Sequence, residues 1–301
     1  MDISTKDGNF NKFFSVDWLD ASDESVPTYT NFGAIYYDKV DYRNGLPYFY
    51  GAFLQDDTMF YLRIEENKNS ELRIDWNYKF IDYTAVEVAS DPTLNLKEPS
   101  FIMQDPKMPS ALYLIGRYRG KGSVLRFNKR DASVRWHAQF DSMSRISSVS
   151  QAAKDDDLFI CGEAITDEEN YTEPYGSDVE IKATIARMKD DGKVSWIISA
   201  TGKHPLYDGT NYKDQDRCMA ISYNKPNEEV VVVIQGKMTE VRDSSKGDYY
   251  DTILVRLSDG GDVENVVVIS QGSIGYDMYP AKNGVFWIND DIYMAGKSYG
   301  F

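Results

Sequence analysis

The sequence predicts an all-β chain, a β-propeller of about five four-stranded blades, and three observations predict it. The first is a recurring pattern of two apolar residues, an arginine and an apolar residue, then a polar turn and a second apolar strand. It reads YLRIEENKNSELRIDW from Tyr61, VLRFNKRDASVRW from Val124, TIARMKDDGKVSW from Thr184 and LVRLSDGGDVENVVVI from Leu254. Its arginines, Arg63, Arg126, Arg187 and Arg256, fall roughly sixty to seventy residues apart. The second is a run of three mostly apolar residues closed by glycine, ending at Gly51, Gly116, Gly162, Gly236 and Gly296. The two patterns alternate along the whole chain. The third is a set of turn pairs, Asp7-Gly8, Asn44-Gly45, Asp191-Gly192 and Asp259-Gly260, lying between strand-like runs. Such pairs suit type I′ hairpin turns, whose two central residues need positive φ.

Taken in order, residues 1–18 read as the tail of a blade, because MDISTKDGNF aligns with the MKDDGKV of the third arginine copy. Complete blades are expected over 31–80, 99–140, 146–199 and 217–269, each rich in the Val, Ile, Tyr, Phe and Trp that favour a pleated surface. Residues 279–301 supply a first strand, VFWIND, and a second, IYMAGKSYGF. The two ends are complementary halves of one blade. Either they pair to close a ring of five blades, or the chain is a fragment of a larger propeller. A small sheet that is apolar on both faces must be covered on both, so radial stacking is favoured over a sandwich or an open array of hairpins. No helix is expected; Pro92 argues against one in 81–96. No Pro/Ser linker or low-complexity segment divides the chain, so residues 1–301 read as a single domain.

The 301 residues carry 33 Lys plus Arg against 48 Asp plus Glu, a net charge of −15. That argues against nucleic acid or an anionic membrane as partner, since both reward clustered cations. A basic partner or a cation is compatible with it, as is a merely solvated acidic surface. No apolar run is long enough to span a bilayer; Val230–Ile234 is far too short. No signal-peptide pattern opens the sequence, and the compartment stays open, an extracytoplasmic one being compatible with a fragment. Two cysteines make neither a disulfide framework nor a metal site. Cys161 lies in an apolar strand and is expected as a buried thiol, with a bridge to Cys218 disfavoured.

Catalytic and metal motifs are missing. His137 and His204 have no Cys or His at metal-ligand spacing, and there is no nucleophile elbow, P-loop or dinucleotide fingerprint. No cofactor and no catalytic residue are therefore expected. The runs Asp155-Asp156-Asp157 and Asp290-Asp291 fall in turns and read as exposed acids. The stretch 243–251 could offer oxygens to a cation. An enzyme alternative rests on Asp38, Asp105 and Asp216 on or beside the expected innermost strands, as the paired carboxylates of a glycoside hydrolase acting on a glycan.

Connection lengths carry the functional expectation. In an up-and-down blade, turns one-to-two and three-to-four lie at one end, while links two-to-three and blade-to-blade lie at the other. The first class is mostly short and the second holds the long stretches 20–30, 81–98, 164–181, 201–216 and 236–249. Binding residues concentrate on loops held by a rigid scaffold, and tyrosine offers contact area at low entropic cost. The candidate rim is Tyr171, Glu173, Tyr175, Asp178, Tyr207, Tyr212, Tyr249 and Tyr250, facing a protein partner. A purely architectural ring is the remaining alternative.

The run apolar-Arg-apolar, Asp-Gly-Lys-Val, small residue, Trp resembles the repeats of quinoprotein-like and bacterial-type β-propeller-repeat proteins. That resemblance implies a strand, a glycine turn and a tryptophan packed between blades. The matching residues are Trp76, Trp136 and Trp196, with valines in the last copy. None of the cofactor residues of the quinone-binding members maps onto this chain.

Overall fold

The computed structural model describes residues 2–3, 10–12, 31–38, 48–55, 58–66, 72–81, 99–105, 107–118, 121–151, 157–165, 181–200, 215–238, 249–270 and 277–299. Among these every regular element is a strand. A first antiparallel sheet holds β3 (Asn31–Asp38), β4 (Tyr48–Gln55), β5 (Thr58–Glu66) and β6 (Leu72–Ile81) in chain order. The second holds β7 (Pro99–Gln104), β8 (Ala111–Tyr118), β9 (Lys121–Asn128) and β10 (Val134–Gln139). The third holds β11 (Arg145–Gln151), β12 (Leu158–Ile165), β13 (Ile181–Met188) and β14 (Val194–Ala200). The fourth holds β15 (Gln215–Asn224), β16 (Glu229–Met238), β17 (Tyr249–Ser258) and β18 (Val263–Ser270). A single parallel bridge, Ile181 to Gln215, links these last two. Two hairpins complete the set: β1 (Asp2–Ile3) with β2 (Phe10–Lys12), and β19 (Asp277–Ile288) with β20 (Asp291–Tyr299). Each hairpin is a separate two-stranded sheet, and no ladder joins the two among the described residues.

Burial shows how the sheets stack. Val230, Val232 and Ile234 of β16 pack with Phe159, Cys161 and Ile185 of the third sheet. Their alternate neighbours Val231 and Val233 pack the other way, with Val285 and, behind it, Trp287 and Met294 of the β19–β20 hairpin. Strand β12 divides likewise. Leu158 and Ile160 meet Tyr113, Ile115 and Val124 of the second sheet, while Phe159 and Cys161 face the fourth. A strand covered on both faces reads as a continuous apolar run, which is why EVVVVIQG lacks alternation. Four successive layers rule out a two-layer sandwich. Innermost strands of neighbouring blades lie side by side, β3 by β7, β11 by β15 and β15 by β19. The hydroxyls of Ser148 and Ser150 on β11 accept the backbone N–H groups of Ile221 (3.1 Å) and Tyr223 (3.0 Å) on β15. Equal steps along both strands mean that the two run parallel, as inner strands around a common centre do.

The arginine motif proves to be a latch between blades. Arg126 and Trp136 are cross-strand partners, and so are Arg187 and Trp196. Arg126 Nη1 and Trp136 Nε1 both donate to the carbonyl of Asp190, in the turn of the next blade, at 3.1 and 3.0 Å. One blade on, Arg187 Nη1 and Trp196 Nε1 converge on the carbonyl of Asp259 at 3.0 and 2.9 Å. Each guanidinium also stacks on an aromatic ring of its own second strand: Arg126 over Tyr113 at 5.6 Å and Arg187 over Phe159 at 5.5 Å. Each closes an ion pair within its own blade, Arg126 with Asp105, and Arg187 with Asp157 at 2.7 Å. Arg256 pairs with Glu229 at 2.5 Å, and Asn265 stands opposite it where the other blades have tryptophan. At the first junction the turn residue is Lys129, fully buried, with Nζ 5.3 Å and 5.6 Å from the ring centres of Tyr50 and Tyr36.

Three expectations need correction. Asp7-Gly8 and Asn44-Gly45 lie outside the described residues, and the turns at Asp191-Gly192 and Asp259-Gly260 are not type I′. In 189–193 only Gly192 has positive φ (85°), and Lys189 N–H bonds to Lys193 O (2.8 Å) as Gly192 N–H does to Lys189 O (3.0 Å). This is a type I turn closed by a left-handed glycine. In 258–262 the left-handed residue is Gly261 (φ 92°), not Gly260. The reason is the latch: a Cβ on Gly192 would sit 3.0 Å from the Trp136 ring, and one on Gly261 2.9 Å from that of Trp196. The turn of 128–133 spends a non-glycine residue at the same place, Ala132 with φ 53°. Ala132→Gly should therefore raise stability, by about 0.5–1 kcal/mol in urea unfolding, as it relieves a left-handed alanine. Asp157 is not an exposed turn acid but is buried against Arg187, whereas Asp290 and Asp291 are exposed. Finally, Cys161 and Cys218 are not free thiols: they form a disulfide, with Cα atoms 5.8 Å apart.

In the same 128–133 turn, the Asp131 carboxylate accepts the Ser133 hydroxyl (2.6 Å) and the Ser133 N–H (3.0 Å). These bonds, the hydroxyl foremost, hold its carboxyl below the ordinary 3.8. A depressed carboxyl stabilises the fold above its unfolded value, and that contribution is lost as pH falls through the folded one. A carbon-detected NMR titration should place Asp131 below 3.8, and Ser133→Ala should move its midpoint upward.

Candidate functional site: the loop-bearing end and its carboxylates

Antiparallel alternation sorts the connections into two ends. Turns 105–110, 129–133, 189–193, 225–228, 259–262 and 289–290 lie at one. Connections 82–98, 140–144, 166–180, 201–214, 239–248 and 271–276 leave from the other. Of the expected rim residues, Tyr171, Glu173, Tyr175, Asp178, Tyr207 and Tyr212 lie outside the described residues. Tyr249 and Tyr250 begin β17, where their backbones pair with Met238 and Lys237, placing them at the loop-bearing end; their side chains are outside the description.

The polar groups described at this end sit on the first three strands of the blades. Arg145 at the start of β11 faces Glu163 at 3.5 Å, and Glu163 is buried. The backbone of Arg145 crosses directly over Gly162, where a Cβ would collide with its carbonyl oxygen and with the Met143 thioether. The chain entering from the previous blade thus needs glycine here. In the fourth blade, Asp216, Gly236 and Asp251 form a cross-strand row, with both acids buried. A Cβ on Gly236 would lie 2.9 Å from Asp216 Oδ1, so that carboxylate occupies the space a side chain would take. Glu163 escaped the sequence reading, although an acid next to a closing glycine in an apolar run, as in FICGE, is the local sign of a buried charge.

The three carboxylates of the enzyme alternative do not assemble. Asp105 is fully buried at the short-turn end, where it pairs with Arg126 and accepts the N–H groups of Lys107 and Met108, both at 3.0 Å. It fastens a turn. Asp216 begins β15, at the opposite end, over Gly236. Asp38 closes β3, pairing by backbone with Tyr48, and its side chain is outside the description. Among the described residues no group of three His, Cys, Asp or Glu could hold a metal ion. Of the 243–251 stretch, the acid whose side chain is described, Asp251, is buried in its sheet. His137 lies on β10, and partial burial pulls its imidazole below the ordinary value. No helix of the described residues is long and apolar enough to cross a membrane.

Sheets stacked face to face, with parallel inner strands and an interblade latch, define the chain as a β-propeller. Comparison with solved structures finds likenesses at low identity. Hydrazine synthase of Kuenenia stuttgartiensis superposes with a TM-score of 0.50 at 11% identity, over 82% of this chain and 58% of that one. The chain thus spans less than two thirds of that protein's length. The GH93 α-L-arabinofuranosidase of Fusarium graminearum with arabinobiose follows at TM-score 0.45 and 10% identity, covering 80% of this chain and 66% of the other. The Dos1 propeller matches at TM-score 0.39 and 9% identity, over 88% and 78%. No family model matches the sequence. No curated protein matches it either.

Proposed function

We propose that the chain is a single-domain, non-catalytic propeller that recognises a protein partner through the acidic, tyrosine-rich connections at its loop-bearing end. One observation carries this reading. Strand alternation sets the strand ends that flank 82–98, 166–180, 201–214 and 239–248 at the same end of rigid, doubly covered sheets. Loops fixed at both feet by such a scaffold are suited to recognition. The buried ion pairs Asp105–Arg126, Asp157–Arg187 and Arg145–Glu163 belong to the scaffold, which leaves the acids of the connections as the recognition chemistry. Tyr171, Glu173, Tyr175 and Asp178 share one of those connections, and an acidic, aromatic surface complements a basic partner face.

The test replaces 166–180 with a short Gly-Ser link, leaving Ile165 and Ile181, which pack on each other, in place. Quantitative cross-linking in source cells should show at least a tenfold loss of the proteins captured by the parent, with the unfolding midpoint within a few degrees. Unchanged capture by the shortened form would overturn the reading.

A further inference from the structure

The disulfide between Cys161 and Cys218 ties β12 of the third blade to β15 of the fourth, and it uses both cysteines of the chain. Both residues are buried, at 0% and 1% exposure, among Phe159, Ile185, Val232 and Ile234. No soluble thiol reaches either sulfur unless the two blades part, so the bond is not an exchange site. Thiol–disulfide chemistry needs an accessible sulfur and a thiolate in an electropositive setting, and this cluster is apolar. The fold does not demand the bond either. At the junction of the second and third blades, the residue preceding the motif glycine is Ile115, and it packs with Ile146 of the adjoining inner strand. An apolar contact fills that seam without a cross-link. The bond spans 57 residues, and the connections 166–180 and 201–214 both lie inside the loop it closes. It therefore fastens the feet of two of the long connections at the loop-bearing end.

We infer that this chain completes its fold in an oxidising compartment. Buried structural disulfides persist where thiols are not kept reduced, and cytosolic ones are mostly accessible and transient. Two thiols oxidise to one disulfide with loss of two electrons and two protons, and the oxidant is the disulfide-forming machinery of such a compartment.

The experiment lyses source cells directly into denaturant containing N-ethylmaleimide and digests the protein with trypsin without reduction. Mass spectrometry should find residues 155–182 joined to residues 218–237, with no maleimide on either cysteine. Recovery of both cysteines as maleimide adducts overturns the inference. A second measurement tests whether the bond belongs to the native fold. Cys161→Ala with Cys218→Ala should lower the thermal midpoint by about 10 °C. An unchanged midpoint would show that the bond contributes nothing to the fold and would equally overturn it.

Discussion

Replacing Arg187 with methionine should lower stability by about 3–5 kcal/mol, the cost of breaking a buried ion pair from one side. Arg187 is bonded to Asp157 at 2.7 Å and to Asp259 through both its carbonyl and its carboxylate, at 3.0 and 3.1 Å. The Asp157 side chain is 8% exposed, so the substitution strands a carboxylate with little water to solvate it. It also removes the cation stacked on Phe159 and one of the two donors holding the fourth blade's turn. Methionine keeps most of the packed volume, so the loss reports charge and hydrogen bonding, not a cavity. Two controls sharpen the result. Arg187→Met with Asp157→Leu should recover at least half of the loss, because no buried charge is then left alone. Arg256→Met should cost about 1 kcal/mol or less, since its pair is more open, with side chains 36% and 16% exposed. Urea midpoints of the four proteins decide the matter, and equal losses for Arg187→Met and Arg256→Met would contradict it.

Gly162→Ala should be the most damaging single-methyl change among the motif glycines, at about 3 kcal/mol or more. The new methyl would overlap the Arg145 carbonyl and the Met143 thioether. A thioether can swing aside, but a backbone oxygen moves only if the link entering the blade moves, and that link carries the Ser144 N–H bond to Glu163 O (2.7 Å). Gly236→Ala meets only a carboxylate oxygen at 2.9 Å and should cost less. Thermal unfolding of both variants tests the order, and a milder Gly162→Ala would refute the packing account.

Much of this architecture was legible in the chain because each blade repeats the same solution. The arginine and glycine motifs locate the third and second strands, and the expected blades at 31–80, 99–140, 146–199 and 217–269 differ from the sheets by at most two residues at any end. The alternation of short turns and long connections follows from strand count alone. What stayed hidden depends on contacts between strands far apart in sequence, within one blade or across two. A turn aspartate is read as solvated unless one knows that an arginine sixty residues away reaches across to its carbonyl. Asp157 looks like its neighbours in an acidic run, and only burial beside Arg187 separates it from Asp290. The cysteine pair was disfavoured because residues on second and first strands of different blades meet only once the order of stacking is known. Asp105 lost its enzymatic reading for the same reason, since its partner Arg126 belongs to the third strand of its sheet.

The seam beyond the fourth blade is built differently. Strand β18 lacks the tryptophan, sets Asn265 opposite Arg256 and leaves Val263, Val266, Val267 and Ile269 exposed. Latched junctions fasten each blade by an indole, a guanidinium and a turn carbonyl, whereas the β19–β20 hairpin is held on the fourth blade by the Val231, Val233 and Val285 contact, by Trp287 Nε1 donating to the Ser222 carbonyl at 3.4 Å and by Asn227 donating to Asp290 at 3.2 Å, contacts that use no guanidinium. Under mechanical load or slow heating, the molecule should part at that seam first, shedding the β19–β20 hairpin while the bolted second, third and fourth blades remain one block.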